Sequence, residues 1–134
     1  GDVLATVSQR RKGMLLVHDS LQNTIGLFLQ TFDWQVKYEV PFGTGNWDPE
    51  RMVFDVVAEK EAKEMVVEVK DAIVSRDLGQ IWGYINALSL SGETAKVYLG
   101  TDILNFPDLV AGTIGAMVKK LMDQEQMGVI LADK

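Results

Sequence analysis

Two short apolar runs separated by a charged stretch constrain the fold of this 134-residue chain more than any other feature. The runs are RMVFDVV at positions 51–57 and MVVEVK at positions 65–70. Both are long enough for β-strands and too short for helices. The polar residues 58–64 between them are typical of a hairpin turn, so we expect two adjacent antiparallel strands.

Each predicted strand carries charged residues among the apolar ones. Asp55 lies in the first run, and Glu68 and Lys70 lie in the second. Because side chains alternate between the faces of a strand, Glu68 and Lys70 project from one face, while Val67 and Val69 fill the other. In an antiparallel hairpin Asp55 can lie beside Glu68. The pattern therefore predicts two converging carboxylates with an amine next to them.

Such a trio of side chains suits hydrolytic phosphodiester chemistry. Paired carboxylates favour a hard cation such as Mg²⁺, which shares its coordination shell with substrate phosphate. The cation can lower the pKa of a water and stabilise charge on a phosphoryl oxygen. A neighbouring lysine can orient that water or neutralise developing charge. The alternative is that these are ordinary charges on solvent-facing strand positions, because one short motif match is weak evidence.

Composition is that of a globular domain, with 47% hydrophobic and 24% charged residues, and we expect one domain over residues 1–134. The absence of cysteine excludes disulfides and thiolate metal sites. A net charge of −6 and a pI near 4.7 argue against a protein that coats nucleic acid generally. The apolar stretch 109–118 is too short to cross a bilayer, and we expect no secretory signal. We therefore expect a cytoplasmic protein without membrane association.

Periodicity along the chain predicts the element order αβββαβαβ. Amphipathic helices are expected over about 14–32 and 75–90, and a third opens at Pro107 and Asp108. Strands are expected over 34–41, 95–100 and 128–132 in addition to the two runs above, with a turn at 43–49. A three-stranded meander followed by crossover helices predicts an α/β fold, a mixed sheet with helices on both faces.

A strip of small residues lies on the predicted third helix, at Ala111, Gly112, Gly115 and Ala116. We expect this strip to pack closely on the sheet. The alternative is a contact in a homodimer or a larger assembly, which would suit an enzyme that cuts both strands of a duplex.

This order of elements, with Asp on the second strand and Glu-x-Lys on the third, resembles the PD-(D/E)xK nuclease superfamily, which has the restriction-endonuclease-like fold. Gln80 and Tyr84 look like the Q-x-x-x-Y element of its RecB-like branch. The run Arg11-Lys12-Gly13 is similar to the start of archaeal Holliday junction resolvases. The resemblance implies a metal-dependent nuclease whose partner is DNA.

The resemblance also implies a role for each matching residue. Asp55 and Glu68 would ligate Mg²⁺, or Mn²⁺ in its place, with the carbonyl of Val69 as a further ligand, and Lys70 would position or activate the attacking water. Gln80 and Tyr84, one helical turn apart, would lean toward the metal or hold the nucleic-acid strand. The alternative for these two residues is packing at the border of the second helix, with the tyrosine hydroxyl pointing outward.

The chain also departs from the pattern of the family. Many relatives have a glutamate early in helix one, whereas the nearest acid here is Asp19, whose shift along the helix turns it ~100–200° from the expected face. Phe54 stands where the motif has proline. An inactive module of the same fold, used for nucleic-acid docking or protein assembly, is therefore the alternative to a nuclease.

The basic cluster Arg10-Arg11-Lys12 is the phosphate-binding candidate in this acidic chain. We expect it to belong to a flexible basic arm over residues 1–12. The alternative is an ordinary solvated segment with no binding role.

Overall fold

Five strands form one sheet in the computed structural model, which describes residues 14–42, 52–90, 92 and 94–133. Side chains are described from residue 20 onward, except that of residue 52. The helices are α1 (Met14–Thr31), α2 (Ser75–Leu90), α3 (Phe106–Leu109) and α4 (Gly112–Asp123), with a 3₁₀ turn at Ile103–Asn105. The strands are β1 (Gln35–Phe42), β2 (Met52–Lys60), β3 (Lys63–Lys70), β4 (Lys96–Asp102) and β5 (Met127–Ala132).

The strands lie in the sheet in the same order as in the chain, β1-β2-β3-β4-β5. The first three pair antiparallel, and β4 and β5 are added in parallel. Parallel neighbours need a crossover connection, which α2 supplies between β3 and β4, and α3 with α4 supply between β4 and β5. The predicted fold class, a restriction-endonuclease-like mixed sheet flanked by helices, is confirmed.

The hairpin between β2 and β3 is tighter than predicted. Lys60 pairs with Lys63, so the turn consists of Glu61 and Ala62 rather than the seven residues 58–64. Glu61 adopts a φ of 56°, in the left-handed region that tight turns require. The strands are correspondingly longer, and their pairing fixes the register that brings position 55 next to position 68.

Each face of the sheet has its own apolar core. On one face, α1 packs Leu21, Ile25 and Leu29 onto alternate residues of β3, including Val67 and Val69. Helix α1 approaches closely because β4 has Gly100, where an added Cβ would lie 2.6 Å from Ile25 Cδ1. The other face carries residues of α2, α3 and α4, among them Leu78, Ile81, Leu109, Val118 and Leu121.

The regular alternation of β1 and β2 is interrupted where the two strands pass Glu39 and Asp55. Val56 belongs to the α1 core, whereas Phe54, two residues away, belongs to the opposite core. Glu39 on β1 has a φ of 51°, which is unusual for a strand residue other than glycine. A regular strand would place residues 54 and 56 on one face, so Asp55 lies at a local change of face.

The predicted third helix is two helices rather than one. Helix α3 ends at Leu109, and α4 begins at Gly112, whose φ of 59° is readily adopted only without a side chain. At Gly115 an added Cβ would lie 2.5 Å from the carbonyl carbon of Val110, so this glycine accommodates the break. Ala111, Gly112 and Ala116 are exposed to solvent. The expectation that the strip of small residues packs on the sheet is therefore wrong for these three.

Two sequence predictions lie outside the described residues: the turn over 43–49 and the basic arm over 1–12. Within the described residues, no helix has the length and apolar character needed to span a membrane.

Candidate active site

Asp55 and Glu68 meet at the end of the β2–β3 ladder. Val56 pairs with Val67, so the next residues on the two strands are Asp55 and Glu68. The Asp55 carboxylate accepts a hydrogen bond of 2.7 Å at Oδ2 from the backbone N–H of Val69, and the two carboxyl groups are themselves hydrogen-bonded. Strand pairing and a backbone hydrogen bond thus hold the two carboxyls in contact.

Glu68 is the most perturbed acid of this site. Its side chain is buried, with 5% of the residue exposed, and its Oε2 has no hydrogen-bond partner among the described residues. The pKa of Glu68 is raised to about 9, chiefly by burial and also by the hydrogen bond and the negative charge of Asp55, while the positive charge of Lys70 opposes the rise. Glu68 therefore carries a proton near neutral pH unless a cation takes its place.

Lys70 lies on the same face of β3 as Glu68, two residues further on. Its ammonium lies 3.6 Å from Asp77 Oδ1 in the first turn of α2. Its backbone carbonyl accepts a 2.6 Å hydrogen bond from the hydroxyl of Thr101, which is fully buried in β4. Asn105 in turn donates to the Thr101 hydroxyl at 2.8 Å. Lys70 is thus anchored at its backbone and at the tip of its side chain.

Tyr84 of α2 lies directly against Glu68. Its hydroxyl accepts a 2.9 Å hydrogen bond from Gln80 Nε2 and is hydrogen-bonded to the Glu68 carboxyl. Burial, followed by the charges of Glu68 and Asp55, raises the pKa of Tyr84 to about 12. Its ring packs edge-on against Phe54, with centroids 5.2 Å apart. The glutamine–tyrosine pair therefore connects α2 to the carboxylates.

Two further polar residues belong to this site although the sequence reasoning missed them. Gln22 of α1 is buried, and its Nε2 donates a 3.1 Å hydrogen bond to the backbone carbonyl of Asp55, while its Oε1 has no partner among the described residues. Asp77 binds Lys70, as described above. The sequence offered one signal for each residue. Gln22 is a polar residue beside the apolar stripe of α1, and Asp77 is an acid at the third position of α2.

The donor set fits a hard cation such as Mg²⁺. Asp55 and Glu68 offer two adjoining carboxyls, and a buried Glu68 oxygen lacks a partner among the described residues. Within the described part of the chain, no group of three or more His, Cys, Asp or Glu side chains is placed so that it could hold a metal ion. Mg²⁺ accepts such a set, because it commonly binds one or two carboxylates and keeps several waters. Asp19 lies in α1, but its side chain falls outside the described residues, as do Arg10, Arg11 and Lys12.

No protein-family model and no curated protein matches this chain. An XisH family protein from Nostoc punctiforme is similar in structure, with a TM-score of 0.62 and 18% identity over 84% of this chain and 90% of that one. An fdxN element excision controlling factor protein from Anabaena variabilis gives a TM-score of 0.61 and 18% identity over 87% and 90%. A protein of unknown function has a TM-score of 0.56 and 15% sequence identity, over 81% of this chain and 54% of that one. The first two of these neighbours have the restriction-endonuclease-like fold, and this chain shares it.

Proposed function

We propose that this chain is a metal-dependent nuclease domain that hydrolyses DNA phosphodiester bonds. The observation that supports this most is the buried Glu68 oxygen without a partner among the described residues, beside Asp55 and on the same strand face as Lys70. A protonated, partly unsatisfied carboxyl costs folding free energy, and a divalent cation would satisfy it. The shared fold is consistent with this role.

Each residue has a defined part in the proposed reaction. Asp55 and Glu68 would hold Mg²⁺, with the carbonyl of Val69 as a further ligand, and the bound cation would supply Lewis acidity toward a water and a phosphoryl oxygen. Lys70 orients the attacking water and neutralises charge as it develops on phosphorus-bound oxygens. Tyr84, held by Gln80, keeps the Glu68 carboxyl in place.

The test is cleavage of single-stranded, duplex and four-way-junction DNA with Mg²⁺ or Mn²⁺, comparing the unmodified protein with Lys70→Ala. We expect metal-dependent cleavage that falls about 10²–10³-fold in the variant, because the loss of one group that stabilises transition-state charge costs about that much. Circular dichroism checks that the variant is folded. A well-folded Lys70→Ala protein that cuts at the full rate contradicts the assignment.

A second candidate function is a docking or assembly module that has the fold but does not cut. The Lys70 ammonium already has Asp77 as a partner, and one structural neighbour is named as an excision controlling factor rather than as an enzyme. Mn²⁺-dependent melting separates the two functions. A cation at 100 times its dissociation constant stabilises a binding protein by ~2.7 kcal/mol, and no rise in melting temperature would favour the module.

A further inference from the structure

We propose that Asp77 is a positioning residue that holds the Lys70 ammonium at the carboxylate pair. The inference rests on the proposed nuclease function and adds to it a residue outside the Asp and Glu-x-Lys pattern. Asp77 lies on α2, not on the strands that carry the carboxylates, and its Oδ1 is 3.6 Å from Lys70 Nζ.

The Asp77 carboxylate is itself fixed. The residue is only 8% exposed, and its Oδ2 accepts a 2.9 Å hydrogen bond from the backbone N–H of Val74. Val74 immediately precedes the first residue of α2, so Asp77 occupies the third helical position and forms the backward half of a capping box. A negative charge is also favoured in the first turn of a helix. One oxygen thus sets the orientation of the other.

Lys70 needs such a partner because its side chain is long. A lysine ammonium lies on a flexible four-carbon stem and carries about 2 kcal/mol of rotamer entropy. At its backbone, Lys70 is held by the buried hydroxyl of Thr101. Asp77 limits the freedom of the remaining part, so the ammonium stays on the face of β3 that carries Glu68. A 1 Å displacement of a reacting group can cost ~10²-fold in rate.

A purely structural role for Asp77, capping α2, makes a different prediction. Asparagine has an amide oxygen that can accept the Val74 N–H bond, but it has no charge for Lys70. Glutamate at the same position is the usual capping-box residue and keeps the charge. Asp77→Asn therefore separates positioning from capping, and Asp77→Glu serves as the conservative replacement. Asp123→Asn is the matched control, because it removes the acid of a 2.7 Å ion pair with Lys119 between two exposed side chains of α4.

The experiment measures kcat and KM for metal-dependent DNA cleavage by the unmodified protein and these variants. For Asp77→Asn we expect kcat to fall about 10–100-fold with KM changed less than about twofold, because positioning acts on the transition state. Asp77→Glu should recover part of kcat, and Asp123→Asn should leave it unchanged. Combining Asp77→Asn with Lys70→Ala should reduce kcat no further than Lys70→Ala alone, since both changes affect one group.

A melting experiment without metal gives a readout independent of activity. The Tm changes of Asp77→Asn and Lys70→Met should fail to add in the double variant, and the Mn²⁺-dependent Tm rise of Asp77→Asn should equal that of the unmodified protein. Full kcat in Asp77→Asn, or strictly additive Tm changes, overturns this inference alone. An unmodified protein that cuts no DNA overturns the proposed function and this inference with it.

Discussion

The two faces of strand β3 differ in what they contribute to the protein. Val67 and Val69 are completely buried under α1 in an apolar core. Glu68 and Lys70, alternating with them, face α2 and contact polar partners there. The α2 face also buries Val66 in an apolar core, but it encloses in addition a carboxyl that prefers to be neutral and an ammonium paired with Asp77.

This contrast shows how a short strand can combine stability with chemistry. Burial of apolar side chains stabilises the fold whether or not a ligand is present. Burial of a carboxyl with an oxygen that lacks a partner costs free energy unless a ligand satisfies that oxygen. Truncation of Val67 and neutralisation of Glu68 should therefore have opposite effects on the stability of the metal-free protein.

The largest expected effect on stability comes from the α1 face. Val67→Ala should lower the free energy of unfolding by about 2–3 kcal/mol, because it removes buried methyl groups and leaves a cavity. Chemical denaturation measures the change. Val53→Ala on β2 is the matched control, since Val53 is exposed, and its effect should stay within about 0.5 kcal/mol. Equal losses in the two variants would contradict the contrast between the faces.

In metal-free protein Glu68→Gln is expected to raise the free energy of unfolding, whereas Val67→Ala lowers it. The folded protein retains the Glu68 proton up to a pKa of about 9, whereas the unfolded chain loses it near 4.5, so the unfolding free energy falls as pH rises between these values. Glu68→Gln removes this dependence. Its stability relative to the unmodified protein should rise by at least about 1 kcal/mol between about pH 5 and pH 8. Parallel stability curves for the two proteins would show that Glu68 ionises normally.

The smallest expected effect compares two glycines on opposite sides of the sheet. At Gly79 in α2 an added Cβ meets no described atom within 4 Å, so Gly79→Ala should stabilise the protein by about 0.5–1 kcal/mol through helix propensity. Gly100→Ala should destabilise it, because its Cβ would lie 2.9 Å from Val67 Cγ1. Thermal melting of the two variants tests the prediction, and a stabilising Gly100→Ala would contradict the tight packing of α1.

Much of the fold followed from residue spacing alone. Period-two alternation and a charged turn identify β2 and β3, and antiparallel pairing then brings positions 55 and 68 together without further information. Helix α2 was also predicted over its full length, because its apolar stripe is regular.

The remaining features depend on geometry that periodicity does not contain. The helical spacing of the apolar residues 114–121 does not reveal the break before α4. That break depends on the backbone conformation of Gly112. The change of face at Asp55 depends on the backbone of the neighbouring strand at Glu39. The contact between Lys70 and Asp77 depends on how α2 returns across the sheet, which tertiary packing decides.

The tight β2–β3 hairpin keeps the residues of the candidate site close together in the sequence. Asp55, Glu68, Lys70, Asp77 and Tyr84 all fall within the stretch 55–84, although the sheet extends through β5 to residue 132. The entropy lost on closing a loop grows with the logarithm of its length, so these contacts form between close neighbours in the chain at small entropic cost. The chemical groups are thus carried by one contiguous segment, and β4 supports them through the hydrogen bond that Thr101 donates to the Lys70 carbonyl.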